Sequence, residues 1–196
     1  MKKEQVLQEL EALGNEKTRK HYKKNGAGDN MFGVKLGDLR SLAKKIKANH
    51  ELALDLWKTE NIDARFLAIL IMNLKSLKDS DLDQLVKSID FDRVADWFSS
   101  YIIRKHPDKD RLREKWMTSS NVMAARAGWD LTSERIAKKP EGLDIQALLT
   151  RIENEMAEAH SSVQWTMNMA LVNIGIYFEE YRERSIKIAE GIGLYR

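Results

Sequence analysis

The sequence predicts an all-α fold, a stack of antiparallel helical hairpins. Two prolines and ten glycines among 196 residues leave long stretches without a residue that interrupts a helix. Apolar residues recur at helical spacing, as in Val6, Leu7 and Leu10, and no segment shows the alternation of a strand. Short links join the predicted helices, which favours hairpins stacked side by side over helices packed on a sheet.

Predicted helices follow one another along the chain, over residues 3–13, 16–24, 37–48, 50–58, 62–77, 79–88, 91–105, 108–117, 121–138, 144–159, 162–175 and 178–190. Residues suited to an N-cap or a first helical turn mark several starts: Asp38, Asp63, Asp79 or Ser80, Asp108 and Asp144. Pro107 and Pro140 fall between helices. Because 43% of the residues are hydrophobic, enough for one large core, we expect residues 1–196 to form a single domain.

A pattern of an aromatic helix end, a polar link and an Ala-Arg pair occurs twice. The copies are Trp57–Thr59, Asn61–Ile62 and Ala64–Arg65, then Trp116–Thr118, Asn121–Val122 and Ala125–Arg126. Such an echo indicates helical repeats, in which each hairpin buries its apolar face against its neighbours. We expect Trp57 and Trp116, at the helix ends, to pack in the core.

The positive charge of the chain is concentrated near its N-terminus. Residues 1–47 contain 12 Lys and Arg against 6 Asp and Glu, whereas the whole chain carries a net charge of only +3. This distribution is typical of a protein that docks on a polyanion, and a solvated helix face explains it equally well.

Several classes of protein are disfavoured by what the sequence lacks. No apolar run approaches the roughly 20 residues of a membrane span, and the N-terminus has no apolar signal-peptide core, so we expect a cytoplasmic protein without membrane contact. The chain has no cysteine and only four histidines, which lie far apart at positions 21, 50, 106 and 160. We therefore expect no metal site, and the lack of a phosphate-binding glycine motif predicts no cofactor.

Residues 31–72 carry a motif of definite order and spacing. MFGVKLGDLRSLAKKI is followed by HELALDLWKTENIDARFLAILIM, and together they contain Phe32–Val34, Leu39–Arg40, Ala43–Lys44, Leu56–Trp57 and Ala64–Arg65. This segment resembles the N-terminal signature of the DNA alkylation repair, or AlkD-like, family. A looser similarity runs through Trp116, Asn121 and Arg126 to VQWTMNMALVNIG and covers most of the chain.

The resemblance implies a right-handed α-α superhelix of HEAT-like hairpins whose concave, basic face holds double-stranded DNA, damaged or bent. Active members of the family excise N3- and N7-alkylated purines as DNA glycosylases, without a metal or nucleotide cofactor. Two tryptophans and an aspartate in their cleft lie against the sugar of the damaged nucleotide, and an arginine holds the DNA. Because an alkylated purine already leaves readily, the enzyme mainly stabilises the cationic sugar, a task suited to a carboxylate and to indole faces.

The family's first tryptophan and its aspartate can be matched to this chain in two ways. One places the tryptophan at Trp97 and finds Tyr101 at the acidic position, four residues later. The other finds Phe91 and Ala95 at the two positions. Neither alternative supplies the pair of an indole and a carboxylate one helical turn apart.

The arginine is matched better than the second tryptophan. Asn121 and Arg126 keep the family spacing, with Met123 in place of the aromatic residue usually found between them. The second tryptophan falls on Met169, and Trp165 lies one turn earlier. The resemblance thus implies a divergent member with substituted cleft positions.

The candidate site combines these assignments. Asp92 or Asp96, one turn apart beside Trp97, stands in for the missing carboxylate. The candidate catalytic residues are Asp92, Asp96, Trp97 and Trp165. The candidate DNA-binding residues are five cations that suit phosphates and one indole that lies beside Asp130. They are Arg126, Trp129, Arg65, Arg40, Lys44 and Lys45.

Three functions are compatible with these residues. The first is a DNA N-glycosylase that acts on alkylpurines. The second is a non-catalytic HEAT-repeat protein that recognises bent, branched or damaged duplexes, which the substituted cleft positions favour. The third is a scaffold for protein partners, since stacked hairpins also form protein-binding surfaces. In each case we expect a monomer.

Overall fold

The computed structural model describes residues 1–193 as helices joined by short loops. Within that range no residue lies in a strand, and no helix combines the length and apolarity needed to cross a bilayer. The chain divides into two compact units, residues 1–106 and the residues from 107 onward. The single domain expected from the sequence stays a prediction.

The helices of the first unit are α1 Lys3–Ala12, α2 Glu16–Lys24, α3 Leu36–Ile46, α4 His50–Trp57, α5 Ile62–Ile71, α6 Asp79–Lys87 and α7 Asp92–Tyr101. Short 3-10 turns follow α5 at Leu74–Ser76 and α7 at Ile103–Lys105. The predicted helices of this unit are confirmed. Two of them were predicted too long. The helices predicted over residues 62–77 and 91–105 end as α-helices at Ile71 and Tyr101, and the rest of each predicted range contains one of these 3-10 turns.

Helix α5 forms the centre of the first unit. Every residue from 62 to 69 is buried, and the helix packs against α1, α3, α4 and α7. A helix that is apolar on nearly all sides is stable only when it is covered on all sides. Its charged residues Asp63 and Arg65 are buried with it, and each has a charged or hydrogen-bonding partner inside the unit.

The helices of the second unit are α8 Lys109–Trp116, α9 Val122–Lys138, α10 Ile145–Glu155, α11 Ser161–Tyr177 and α12 Arg182–Ile192, with a 3-10 turn at Glu179–Tyr181. The predicted helices of this unit are confirmed too, although α10 ends earlier and α12 begins later than the apolar pattern indicated. Helix α9 packs against α8 and α11, and α11 packs against α10 and α12. The core of the unit includes Leu149, Ile152, Met167 and Ile174.

Gly128 allows α9 to lie very close to the end of α8. A Cβ atom built on Gly128 would lie 2.5 Å from the backbone nitrogen of Met117 and 2.8 Å from the carbonyl carbon of Trp116. Those atoms belong to the backbone, so no side-chain rotation relieves the overlap. The lack of a Cβ atom at Gly128 therefore allows the short distance between the two helices.

We expect Gly128→Ala to lower the free energy of unfolding by about 2–4 kcal/mol, because the added methyl group forces α8 and α9 apart. Urea denaturation followed by tryptophan fluorescence measures the change. Gly191→Ala is the matched control, since nothing lies within 4 Å of the corresponding Cβ on α12. In that variant the helix preference of alanine should leave stability unchanged or raise it by up to about 1 kcal/mol. Equal stability of the two variants would contradict the close approach.

Both copies of the sequence echo have the same local structure. Trp57 ends α4 and Trp116 ends α8, and both side chains are buried, which confirms the core positions predicted for them. Asn61 and Asn121 cap the following helix, each accepting a hydrogen bond from a backbone N–H of its first turn. The arginine of each copy is buried: Arg65 and Arg126. Each unit thus contains one copy of the same helix-link-helix element.

Candidate nucleic-acid interface

Asp63 fastens the Phe32–Val34 loop to α5. Its Oδ2 accepts hydrogen bonds from the backbone N–H groups of Phe32 (2.6 Å) and Gly33 (2.9 Å), and its Oδ1 accepts one from Val34 (2.8 Å). Burial raises the pKa of the Asp63 carboxyl group, while the three N–H donors act in the opposite direction by favouring the charged form. Because the loop leads directly into α3, this carboxylate determines where α3 lies against α5.

Gly33 is required in the same loop. Its φ angle of +79° lies in the left-handed region, and a Cβ atom would lie 2.7 Å from the carbonyl oxygen of Asn15 and 2.8 Å from the backbone nitrogen of Arg19. The Phe-Gly-Val motif is therefore structural. It positions α3, and α3 carries the basic residues of the candidate interface.

Helix α3 presents two basic side chains that have no acidic partner among residues 1–193. Arg40 and Lys44 are exposed and lie one turn apart, so they share a face. In the described chain, residues 1–193, neither forms an ion pair, whereas Lys45 binds Glu9 with 2.9 Å between Nζ and Oε1. Arg40 and Lys44 can therefore bind a phosphate without first breaking an ion pair, and Lys45 cannot.

Arg40, Trp97, Tyr101 and Lys105 form a continuous row on the first unit, which we call the cation-aromatic row. The guanidinium carbon of Arg40 lies 5.2 Å from the centre of the Trp97 ring. The Trp97 and Tyr101 rings follow, with 5.2 Å between centroids and an interplanar angle of 32°. Lys105 closes the row, its Nζ 5.4 Å from the Tyr101 centroid. Both aromatic rings are half-buried and both cations are exposed.

The Trp97 ring of the row is held by the core beneath it. Trp97 meets Phe66 of α5 edge to face, with 4.9 Å between centroids. Since Phe66 is fully buried, the indole has little freedom to turn. The row thus has an indole anchored on the core, a phenol ring against that indole and an exposed cation at each end.

Neither candidate carboxylate lies on the face of α7 that carries the row. Asp92 is half-buried in the first turn of α7, and Asp96 is exposed. Successive residues of a helix are rotated by about 100°, so Asp96 projects roughly that far round from Trp97, and Asp92, five residues before Trp97, projects about 140° round. Four residues after Trp97, on the same face, stands Tyr101, a phenol with a lysine over its ring. The catalytic role assigned to Asp92 or Asp96 stays a prediction.

Arg65 lies in the interior of the first unit. Its side chain is 2% exposed, its Nη1 donates to Asp90 Oδ1 at 2.7 Å, and its guanidinium lies over the Trp57 ring. To reach DNA, Arg65 would have to break its ion pair with Asp90 and its contact with the Trp57 ring, and breaking the ion pair of a buried cation is costly. We therefore leave Arg65 out of the proposed interface, against the expectation from the sequence.

Trp129 and Arg126 of α9 lie inside the second unit. The Trp129 ring is 2% exposed and belongs to the hydrophobic core, with the guanidinium of Arg151 5.2 Å from its centre. This position is a packing position, so we also leave Trp129 out of the interface. Arg126 is 3% exposed, and its role in binding DNA stays a prediction.

Trp165 and Met169, by contrast, are on the surface of the second unit. Trp165 is 50% exposed and Met169 39% exposed, and they lie one turn apart on α11. An indole in this position can touch a ligand directly. The assignment of Trp165 as an aromatic wall stays a prediction that its exposure allows.

Sequence reasoning did not single out Lys105, and it treated Tyr101 only as a gap in the family pattern. Trp97 and Tyr101 are four residues apart on one face of α7, but α7 ends at Tyr101 and Lys105 lies in the 3-10 turn that follows, so helical spacing does not indicate its place over the Tyr101 ring. Arg40 was a candidate from the sequence, but its contact with Trp97 was not predicted, because Arg40 comes from a different helix. Only the packing of α3 and α7 against α5 brings the two side chains together.

The protein is a HEAT-like helical-repeat protein. Its helical hairpins and its repeated Trp-Asn-Arg element define this class, and its first unit carries a surface of cations and aromatic rings. A solved structure agrees with this class. It comes from a family of proteins related to the HEAT-like repeat DNA glycosylases with affinity for branched DNA structures. The two chains are 29% identical, with a TM-score of 0.81 over 98% of this chain and 83% of the other.

The sequence model of the DNA alkylation repair enzyme family matches residues 6–187. The chain therefore belongs to this family. Two relatives are uncharacterized proteins of Listeria innocua and Listeria monocytogenes, which are 27% and 26% identical to it over 97% of this chain and 86% of their own lengths.

Proposed function

We propose that this protein binds branched or bent double-stranded DNA, as one copy of the chain per site, and excises no base. The cation-aromatic row is the observation that carries the proposal. In one of the two alternatives that the family resemblance leaves, the indole and the carboxylate fall on Trp97 and Tyr101 of this row, and the row offers two cations in addition to the indole.

The charge of the row suits DNA. Arg40 and Lys105 are exposed, and Lys44 lies one turn from Arg40 on α3. Lys and Arg that neutralise phosphates release the counterions condensed on DNA, and this release drives association. Within residues 1–193, Arg40 and Lys44 have no ion pair to give up in the exchange.

The same charge opposes base excision. Loss of an alkylated purine leaves positive charge on the sugar, which a nearby carboxylate stabilises. Here the position one turn after Trp97 is a phenol, with the Lys105 ammonium group over its ring. A second positive charge a few ångströms away would repel the developing cation by about 1–4 kcal/mol in a partly solvated site. The row therefore suits the binding of DNA and not the breaking of its glycosidic bond.

The preference for branched DNA is inferred from the solved relative, whose family has affinity for branched DNA structures. Branched and bent duplexes bring phosphates of different strands close together. A surface with separate cations, such as Arg40, Lys44 and Lys105, can neutralise more phosphates in such a cluster than on a straight duplex.

A titration followed by fluorescence anisotropy tests the proposal. Labelled four-way junction DNA and a linear duplex of the same length and composition are titrated between about 50 and 200 mM salt, a range chosen because electrostatic binding changes steeply there. We expect tighter binding to the junction and a log-log slope of about 0.9 per phosphate contacted. Equal affinity for the two DNAs would remove the structural preference. A lack of binding at low salt would overturn DNA binding altogether and favour a protein scaffold.

A further inference from the structure

We propose that the Trp97 and Tyr101 rings form a site for an unpaired nucleobase, so that the protein selects branch points with unstacked nucleotides. This inference rests on the proposed function and specifies which part of a branched DNA molecule the cation-aromatic row recognises. Nothing in the binding of phosphates requires the two rings.

The geometry of the rings is the first argument. They lie 5.2 Å apart at an interplanar angle of 32°, and Phe66 holds Trp97 from below at 4.9 Å. An aromatic surface that is fixed before binding loses little conformational freedom when a base stacks on it. The half-exposed rings on a buried support thus resemble a preformed platform.

The state of the base is the second argument. In an intact duplex both faces of each base are covered by neighbouring bases, and no aromatic side chain reaches them. An unpaired base at a branch has an exposed face, and base-aromatic stacking is the usual way in which proteins hold single-stranded nucleotides. The platform consequently distinguishes a branch with unpaired nucleotides from a fully paired one.

The two cations are the third argument. Arg40 lies over the Trp97 ring at 5.2 Å and Lys105 over the Tyr101 ring at 5.4 Å, and each cation is exposed. A cation-π interaction at an exposed position is weak, so either cation can leave its ring for a phosphate. A base that enters takes the ring face that the cation vacates, while the cation binds the phosphate beside that base. When a cation moves from its ring to a phosphate, it therefore exposes the ring face to the base and neutralises the DNA backbone beside that base.

The test uses two three-way junctions with identical arms. One is fully paired, and the other has two unpaired nucleotides at the branch, of which one is 2-aminopurine, a base whose fluorescence falls when it stacks. We expect the full chain to bind the second junction about tenfold more tightly and to quench the probe. Tyr101→Leu removes one of the two rings and should lower the affinity for the second junction by about tenfold and weaken the quenching, and Tyr101→Phe, which keeps the ring, should restore both.

Tyr177→Leu is the matched control, because Tyr177 is an exposed tyrosine of α11 outside the row. It should leave both affinities and the quenching unchanged. Equal affinity of the native chain for the two junctions, or quenching that Tyr101→Leu leaves unchanged, would overturn the inference while leaving DNA binding intact. Failure to bind either junction would overturn the proposed function together with the inference.

Discussion

Replacing Arg40 and Lys105 together by glutamate should lower the affinity for junction DNA by on the order of tenfold per reversed charge at low salt. Each substitution removes a cation that binds a phosphate and adds a negative charge that repels the backbone. The effect should shrink as salt rises, because screening weakens both interactions. The slope of log Kd against log salt should fall by about 0.9 for each phosphate that the variant no longer neutralises.

The control for this experiment carries the same change of charge at two lysines that are not members of the row. Lys58→Glu with Lys187→Glu replaces two cations whose side chains are 75% and 71% exposed. If binding were driven only by the net charge of the chain, the affinity of both double variants would fall equally. Such a result would contradict the location of the interface, whereas a selective decrease in the Arg40 and Lys105 variant would support it.

Replacing Asp63 by alanine should lower the free energy of unfolding by about 3–5 kcal/mol. The carboxylate accepts three backbone hydrogen bonds from Phe32, Gly33 and Val34, and all of its surface is buried. Its removal leaves three N–H donors unsatisfied, two of them in buried surroundings, and opens a cavity beside α5. Because the same loop positions α3, DNA binding should weaken in parallel.

Thermal and urea unfolding of the Asp63→Ala protein measure this effect. Asp55→Ala is a suitable control, since Asp55 is exposed and forms a surface ion pair with Lys58. Its removal should change the free energy of unfolding by less than about 1 kcal/mol. Similar stability of the two variants would show that the buried carboxylate does not hold the loop.

The helices and much of the core could be predicted from the sequence because their signals are local. The period of apolar residues located α5 and α9, and the positions of Trp57 and Trp116 followed from the repeated pattern. Helix ends were less accurate. The predicted helix over 62–77 ends at Ile71, since Asn73 accepts a backbone hydrogen bond and turns the chain there.

The aspartates at helix starts show what a local signal does and does not indicate. Aspartates marked the starts of helices, and Asp144 does cap α10. Asp63 lies in the first turn of α5, as predicted, where Asn61 is the cap, and its carboxylate accepts hydrogen bonds from a loop much earlier in the chain, at Phe32–Val34. Sequence spacing indicates that such a residue is near a helix start. It does not indicate a partner brought close only by folding.

The candidate site could be predicted only in part, because folding brings together residues from different helices. Arg40, Lys44 and Trp97 were selected from the sequence and lie on or beside the row. Arg65 and Trp129 were also selected, but the packing of their helices turns both side chains inward. Lys105 was overlooked, since a lysine in a short turn has no distinctive pattern until Tyr101 is found beneath it.

Quantification of free bases after DNA binding tests the central claim most directly. Junction DNA that carries N7-methylguanine and N3-methyladenine is incubated with saturating protein, complex formation is verified in the same sample, and released bases are measured by chromatography. We expect the DNA to be bound and the bases to appear no faster than in protein-free DNA. Release that is faster than the spontaneous rate, and that scales with protein concentration, would contradict binding without excision.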